Sequence, residues 1–439
     1  MKISKSTILT LLFSLFWVPL AFAQDSSPKE LDEYIALADD SYNWELVEKN
    51  TASDKKTWLV ELTSQTWHGI TWKHYMYIVE PAKLTLPNHS LLFITGSSIG
   101  KKPGAGDRTM CELLAEVSGT TVAMLFQVPN QPLFGNYVED ALIGETLLKA
   151  IETNDSTWPL LFPMAKSAVK AMDATQEIVK QETEREIKGF VVSGASKRGW
   201  TTWLTGASKD KRVVAIAPIV IDTLNIREQM KYQLETWGKY SDSIHDYTER
   251  NLVQDADGDL TEYKKRLWSM VDPYSYRTRL DMPKLLIHGT NDPYWTVDAT
   301  KNYWDDLVGV KYILTLPNAG HGLDDQKIKA FQTLAAFTRF ACVKNDWPKM
   351  DWKREDGKIF VRSQIPASAV KLWIAESDTK DFRKAIWTSR EIKLEKPDSG
   401  NCSVEIPKAN IDKHVAYFVE LETKHDDIPC SFTTQVWRD

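Results

Sequence analysis

The sequence predicts an α/β protein built on a mostly parallel sheet, with a helical cap and a small all-β domain at its C-terminal end. Three observations predict it. Short, continuous apolar runs recur between Ser90 and Leu316, stretches of helical periodicity separate them, and after about Asn345 the pattern changes to β-type runs broken by Pro, Gly, Asp and Ser. A parallel sheet covered on both faces needs strands that are apolar throughout, and its crossovers need helices.

At the N-terminus, Lys2 and Lys5 precede an apolar run from Ile8 to Phe22 that ends in Ala21-Phe22-Ala23. A basic start, an apolar segment short for a membrane span and a small-x-small site mark a secretory signal peptide cleaved after Ala23. The expected location is therefore periplasmic or secreted. No stable membrane insertion is expected, because no second apolar stretch reaches spanning length. The remaining chain is expected to divide into an α/β domain over 24–344 and a C-terminal domain over 345–439.

Trp58 to Leu62 and Trp72 to Val79 read as paired strands around a turn at His68-Gly69. The apolar strands run from Ser90 to Thr95, Thr121 to Phe126, Lys188 to Val192, Val213 to Val220, Lys284 to His288 and Lys311 to Leu316. Leu161, Ala165, Ala168, Met172 and Val179 recur at steps of three, four and seven, which places them on one helix face. Pro159 and Pro163 mark the start of that helix and the charged run from Gln181 to Glu186 its end.

The chain from Val220 to Lys284 is far longer than one crossover helix needs, and it is rich in Tyr, Trp, Gln and Glu. It reads as a helical cap over about 223–280, above the carboxyl edge of the sheet where α/β folds place their ligands. Within it, Asp255-Ala256-Asp257-Gly258-Asp259 has the acids of a calcium loop but not the spacing, so a solvated turn is expected. Farther on, Lys358 to Arg362, Val370 to Glu376, Ala385 to Ser389, Ala416 to Glu422 and Phe432 to Trp437 are short strands without helical periodicity. Together they predict a β-sandwich of immunoglobulin or fibronectin-III type.

Composition narrows the chemistry. The chain is 43% hydrophobic and 26% charged with a formal charge of −6, which describes a globular protein. An acidic balance without a basic tract argues against a nucleic-acid partner. Among the four cysteines, Cys402 and Cys430 are the expected disulfide, while the pairing of Cys111 and Cys342 stays open. There is no C-x-x-C and no Cys/His cluster, so no metal is expected. The glycine-rich Lys101-Lys102-Pro103-Gly104-Ala105-Gly106-Asp107 lacks the Gly-Lys-Ser/Thr ending of a phosphate loop, and no cofactor is expected.

The predicted strand from Lys188 runs into Gly194-Ala195-Ser196-Lys197-Arg198-Gly199-Trp200. Gly-x-Ser between a buried strand and a helix is the start of a nucleophile elbow, in which small residues permit the tight turn that exposes the hydroxyl. The usual motif continues x-Gly. Here Arg198 holds that place and Gly199 follows one residue later. The strand from Lys284 leads into Asn291-Asp292-Pro293, and the strand from Lys311 leads into Gly320-His321-Gly322. Ser196, then Asp292, then His321, each on a loop after a successive late strand, is the chain order of α/β-hydrolase triads. Serine becomes a nucleophile when a histidine takes its proton, and the histidine needs a carboxylate to hold its tautomer. Asp222 is the reserve candidate for the acid, and His288, inside a strand, is expected to be a satisfied core residue. The oxyanion donors are expected to be the backbone N–H of Lys197 and an N–H of the Gly96-Ser97-Ser98 loop. Lys197 and Arg198 either favour an acidic substrate group or are solvated.

Several segments together resemble the PhoPQ-activated pathogenicity-related family: Gly194 through Trp200, Ile287-His288-Gly289-Thr290-Asn291-Asp292-Pro293-Tyr294, Pro317 through His321, and Lys371-Leu372-Trp373-Ile374-Ala375 with Asp381-Phe382-Arg383. This is a family of secreted α/β-hydrolase-like proteins that includes autocrine proliferation repressors. The resemblance implies an α/β-hydrolase fold with Ser196, Asp292 and His321 as its triad. The elbow is also similar to the Gly-x-Ser-Arg-x-Gly of glucuronoyl esterases, with Lys197 where those carry Arg. The expected function is a secreted serine hydrolase that cleaves an ester or amide of a small-molecule or peptide substrate through an acyl-enzyme. The alternatives are a hydrolase-like extracellular binding or signalling protein and a carbohydrate esterase. The sequence leaves the oligomeric state open.

Overall fold

The computed structural model describes residues 26–253, 261–343, 347–394, 399–408, 410 and 412–439. The signal peptide, the acidic run 255–259 and the boundary at Asn345 lie outside the described residues. Helix α1 (Glu30–Ala36) leads into an antiparallel meander of β1 (Asn43–Asn50), β2 (Lys56–Trp67) and β3 (Ile70–Glu80). The β2–β3 turn falls at His68 and Gly69, both at positive φ. Strands and helices then alternate: β4 (Leu86–Ile94), α2 (Ala105–Ser118), β5 (Thr120–Leu125), α3 (Glu139–Thr153), α4 (Leu161–Thr183), β6 (Gly189–Ala195), α5 (Lys197–Ala207) and β7 (Val213–Ile219).

The cap follows as α6 (Ile226–Trp237), α7 (His245–Thr248), α8 (Glu262–Val271) and a 3-10 segment, Pro273–Arg279. Chain and sheet resume with β8 (Lys284–Gly289), β9 (Lys311–Leu316) and α9 (Lys327–Val343). The strand order is β1-β2-β3-β5-β4-β6-β7-β8-β9, antiparallel as far as β5 and parallel from β5 to β9. Every residue of β5 is buried, and Leu91, Leu92, Val191, Val192, Leu285 and Ile287 of its parallel neighbours are wholly enclosed. Helix α4 lays Leu161, Ala165, Ala168 and Met172 on one face of the sheet, while α2 and α9 cover the other with Leu114, Leu334 and Phe337. The fold is that of an α/β-hydrolase, with a mixed sheet parallel through its central strands.

The C-terminal strands are β10 (Met350–Glu355), β11 (Lys358–Ser363), β12 (Ala369–Ser377), β13 (Thr388–Glu391), β14 (Cys402–Glu405), β15 (His414–His425), β16 (Ile428–Thr433) and β17 (Trp437–Arg438). They form two sheets. β10-β11-β14 stand apart, whereas β16-β15-β12-β13 continue the central sheet through Thr433 opposite Ile313 of β9. Ile359, Val361 and Val404 of the small sheet and Leu372, Tyr417 and Val419 of the larger share one apolar cluster. The cluster reaches Leu285, Leu314 and Phe337 of the α/β part.

The expected disulfide is corrected. Cys402 lies in β14 and Cys430 in β16, on different sheets, and no disulfide joins them. Nearness in the chain proposed the pair, but a bridge depends on the approach of the Cβ atoms. Burial raises the Cys430 thiol to about 12, far from the range where a thiolate reacts.

Candidate active site

β6 delivers the chain to Ser196, whose backbone (φ 58, ψ −124) is one that L-residues with a side chain rarely adopt. The turn is held by the Ser196 N–H, which donates to Ile219 O of β7 at 2.8 Å. The displaced glycine of the elbow has a steric explanation. A Cβ at Gly199 would stand 2.5 Å from Ile221 Cγ2 and 3.0 Å from Ile219 O, so the close approach to β7 falls at 199. Position 198 is free to carry a long side chain. At Gly194 a Cβ would meet Arg198 O at 2.8 Å.

The loops after β8 and β9 bring the partners in. Gly289 lets the two loops touch, since a Cβ there would lie 2.3 Å from Ala319 O. Asp292 is 6% exposed, and its Oδ1 accepts the Tyr294 N–H at 3.0 Å. Its Oδ2 lies 2.8 Å from His321 Nδ1, and His321 Nε2 lies 2.8 Å from Ser196 Oγ. A nitrogen facing a carboxylate carries the proton, so Nδ1 donates to Asp292 and Nε2 accepts the Ser196 hydroxyl.

Lys197 and Arg198 are neither solvated nor free to meet an acidic substrate group. Arg198 donates to Val128 O at 2.6 Å and grips Glu139 with two bonds of 2.7 and 2.5 Å. Burial alone would raise the Glu139 carboxyl, but the Arg198 guanidinium outweighs it and holds the group at about 2. Lys197 Nζ bonds Asp140 at 2.6 Å, and Asp140 also accepts the hydroxyls of Tyr247 at 2.9 Å and Tyr294 at 3.1 Å. The Tyr294 ring packs on His321 with centroids 4.4 Å apart. Sequence reasoning missed Glu139, Asp140, Tyr247 and Tyr294. Glu139-Asp140 before an amphipathic run signals a helix start, but nothing local shows that it meets the elbow.

Of the expected oxyanion donors, Lys197 opens α5, whose first-turn N–H groups have no partner within the helix. Gly96 packs on Arg198 so closely that a Cβ would lie 1.8 Å from the guanidinium. A cavity of about 400 Å³ lined by Gly96, Ser97, Gln131, Glu139 and Arg198 opens beside this loop. Both ring nitrogens of His321 are taken by Asp292 and Ser196, and Asp222 instead accepts Tyr303 OH at 2.5 Å and Thr300 Oγ1 at 2.9 Å. His288 is buried in β8, and its Nε2 meets no hydrogen-bond partner among the protein's own groups.

A second Ser–His contact lies in the core, where Ser64 Oγ is 2.9 Å from His74 Nε2 and 3.0 Å from Ser167 Oγ. His74 Nδ1 faces Phe126 O, and burial lowers the ring to about 4. Ser64 is wholly enclosed, so a substrate has no access to it. Among the described residues no group of three or more His, Cys, Asp or Glu side chains is arranged to hold a metal ion, and no helix is long and apolar enough to cross a membrane.

A mixed sheet, an elbow at the end of a central strand and an Asp and a His on the two following loops define the α/β-hydrolase class. The chain belongs to the PhoPQ-activated pathogenicity-related protein family, whose profile matches residues 31–383. It is 31% identical over 400 residues to autocrine proliferation repressor protein A of Dictyostelium discoideum, covering 87% of this chain and 76% of that one. Among solved structures it is similar to acetyl xylan esterase 1 of a Thermoanaerobacterium species (TM-score 0.49, 15% identity, 73% of this chain and 96% of that one). It is also similar to a glucuronoyl esterase of Solibacter usitatus (TM-score 0.42, 12% identity, 72% and 92%).

Proposed function

We propose that the protein is a secreted or periplasmic serine hydrolase that cleaves an ester or amide of a small-molecule or peptide substrate through an acyl-enzyme. The observation that carries this reading is the unbroken path from Ser196 Oγ through His321 to Asp292, with both links at 2.8 Å. Ser196 attacks the carbonyl carbon as His321 Nε2 takes its proton. His321 then protonates the leaving group, and in the second half-reaction it draws a proton from water to release the acid. Asp292 stabilises the imidazolium. The N–H groups of Lys197 and the Gly96–Ser97 loop receive the developing oxyanion, where one donor is worth about a hundred- to a thousandfold in turnover.

The test is labelling with a fluorophosphonate probe. Wild type is expected to label, Ser196→Ala not at all, and His321→Ala weakly. A folded wild-type protein that stays unlabelled would overturn the reading and favour an extracellular binding or signalling role.

One observation favours the carbohydrate-ester version of this function. A cleft of about 620 Å³ at the junction of the β9 edge and the C-terminal strands is lined by Trp304, Trp347, Trp352 and Tyr312. The Trp304–Trp352 stack (5.3 Å) and the exposed Asp305 and Asp351 give an apolar wall with a polar rim. It lies at the start of β9 and so at the far end of that strand from His321, which suits holding a sugar chain away from the reaction site. Retention on insoluble polysaccharide that is lost in Trp352→Ala would support it. Passage of wild type through every such matrix would count against it.

A further inference from the structure

Beneath the Ser196–His321–Asp292 array lies a second set of buried polar groups that the proposed reaction does not use. A cavity of about 20 Å³ is lined by Asp222, His288, Asp292, Trp295, Thr296 and Thr300, among others. Three of the polar atoms on these residues, His288 Nε2, Trp295 Nε1 and Thr296 Oγ1, are buried with no hydrogen-bond partner. Buried polar atoms in native proteins are almost always paired, so three orphans around one small space point to a shared partner. A space that exceeds roughly 10–15 Å³ and is walled by polar groups suits a single water molecule.

The donors and acceptors balance for one water. The Trp295 indole only donates, so it fills a lone pair of the water oxygen. His288, in the tautomer protonated at Nε2, fills the other lone pair, and the water's two protons are left for the Asp292 and Asp222 carboxylates. On the far side, Tyr303 and Thr300 fix the Asp222 carboxylate. Burial raises the Asp222 carboxyl, the nearby His288 opposes that rise, and the charge of Asp292 adds to it. The charged and titratable groups lining this space are thus Asp222, His288 of β8 and Asp292, with Tyr303 bonded to Asp222 and His321 to Asp292.

We infer that one water joins Asp292 to Asp222 and His288, which makes Asp222 and His288 positioning residues for proton transfer through His321. The inference rests on the catalytic reading of Ser196, His321 and Asp292. A carboxylate held from behind keeps its Oδ2 on His321 Nδ1 while the imidazole charges and discharges. One that can rotate loses that alignment, and small misplacements of catalytic groups cost up to about a hundredfold.

The test compares the full-length mature wild type with Asp222→Asn, His288→Gln and the near-isosteric Thr296→Val. Three readouts are followed: kcat and KM for p-nitrophenyl acetate against pH, the downfield NMR proton of the His321–Asp292 hydrogen bond, and a high-resolution crystal structure of the wild type. Expected are a tenfold to hundredfold fall in kcat at unchanged KM for Asp222→Asn, a displaced acid limb of kcat/KM, and a shifted or lost downfield proton. Thr296→Val is expected to give a smaller change in the same direction, and the crystal structure to show a water within hydrogen-bond distance of Asp292. Folded variants with wild-type kcat, pH limb and downfield proton would overturn the inference, as would a dry cavity at high resolution. If wild type neither turns over ester nor takes the fluorophosphonate, the catalytic reading fails by itself, and the NMR and crystallographic readouts still decide the water.

Discussion

Gly96 shows how one residue type can be dictated by a group far away in the chain. Its α-carbon faces the Arg198 guanidinium, which is pinned by Glu139 and by Val128 O, so the guanidinium cannot swing aside to admit a methyl group. Gly96→Ala is expected to destabilise the fold by about 1–3 kcal/mol through overpacking. It should also lower kcat tenfold or more by moving the oxyanion loop. Thermal melts and steady-state kinetics on a chromogenic ester check both, and wild-type kinetics would show that the loop is not placed by Arg198. Lys284 supplies a pH dependence at the same scale. It is fully enclosed in β8, its Nζ donates to Val308 O at 2.5 Å, and burial lowers its pKa to about 7. The unfolded chain keeps that proton up to about 10.4, so between pH 7 and 10 the unfolded state binds more protons and stability rises with pH. Wild type should therefore gain Tm relative to Lys284→Met on going from pH 7 to about 9.5. A constant gap between the two proteins would show that Lys284 is charged in the fold.

Among the elements, the cap, the elbow and the acid loop meet at Asp140 near the start of α3, through Tyr247, Lys197 and Tyr294. Tyr247→Phe removes only the tie to the cap and leaves Asp140 its other partners. The expected outcome is kcat on acetate esters within about twofold of wild type and reduced discrimination against longer acyl chains. Unchanged acyl selectivity would show that the cap is held elsewhere. This convergence was not legible in the sequence, because the contacts join residues 57, 107 and 154 positions apart and each segment has a sufficient local explanation. What was legible came from residues whose pattern is local. The apolar runs gave the buried strands β4 to β9, and the loops that follow β6, β8 and β9 gave Ser196, Asp292 and His321 in order. The strands that escaped, β1, β10 and β14, are short or mostly exposed, so they lack the apolar run that identifies a buried strand. The run from Ala385 became β13 three residues later, at Thr388, because Ala385 and Trp387 turn instead toward the β8 and β9 loops, where they bond Asn291 and Asn318.

At the scale of the whole molecule, the C-terminal strands are structurally continuous with the α/β part. β16 pairs with β9, so the central sheet runs on into β15, β12 and β13, and α9 packs on β16 as well as on the central strands. The apolar cluster that fills the C-terminal sheets also contains Leu285 and Leu314 of the central sheet. Independent folding of two domains needs a boundary that few contacts cross. Here the boundary is crossed by backbone hydrogen bonds and by a shared core. Removing residues 347–439 would uncover the edge of β9 together with buried apolar side chains of α9, and a bare strand edge beside an apolar face is a site for aggregation. Calorimetry of the full mature chain is therefore expected to show one cooperative transition, with the van't Hoff enthalpy equal to the calorimetric one. The protein ending at Val343 should be recovered aggregated. Two resolved transitions, or a soluble and fluorophosphonate-reactive fragment ending at Val343, would show that the hydrolase half folds without the strands that extend its sheet.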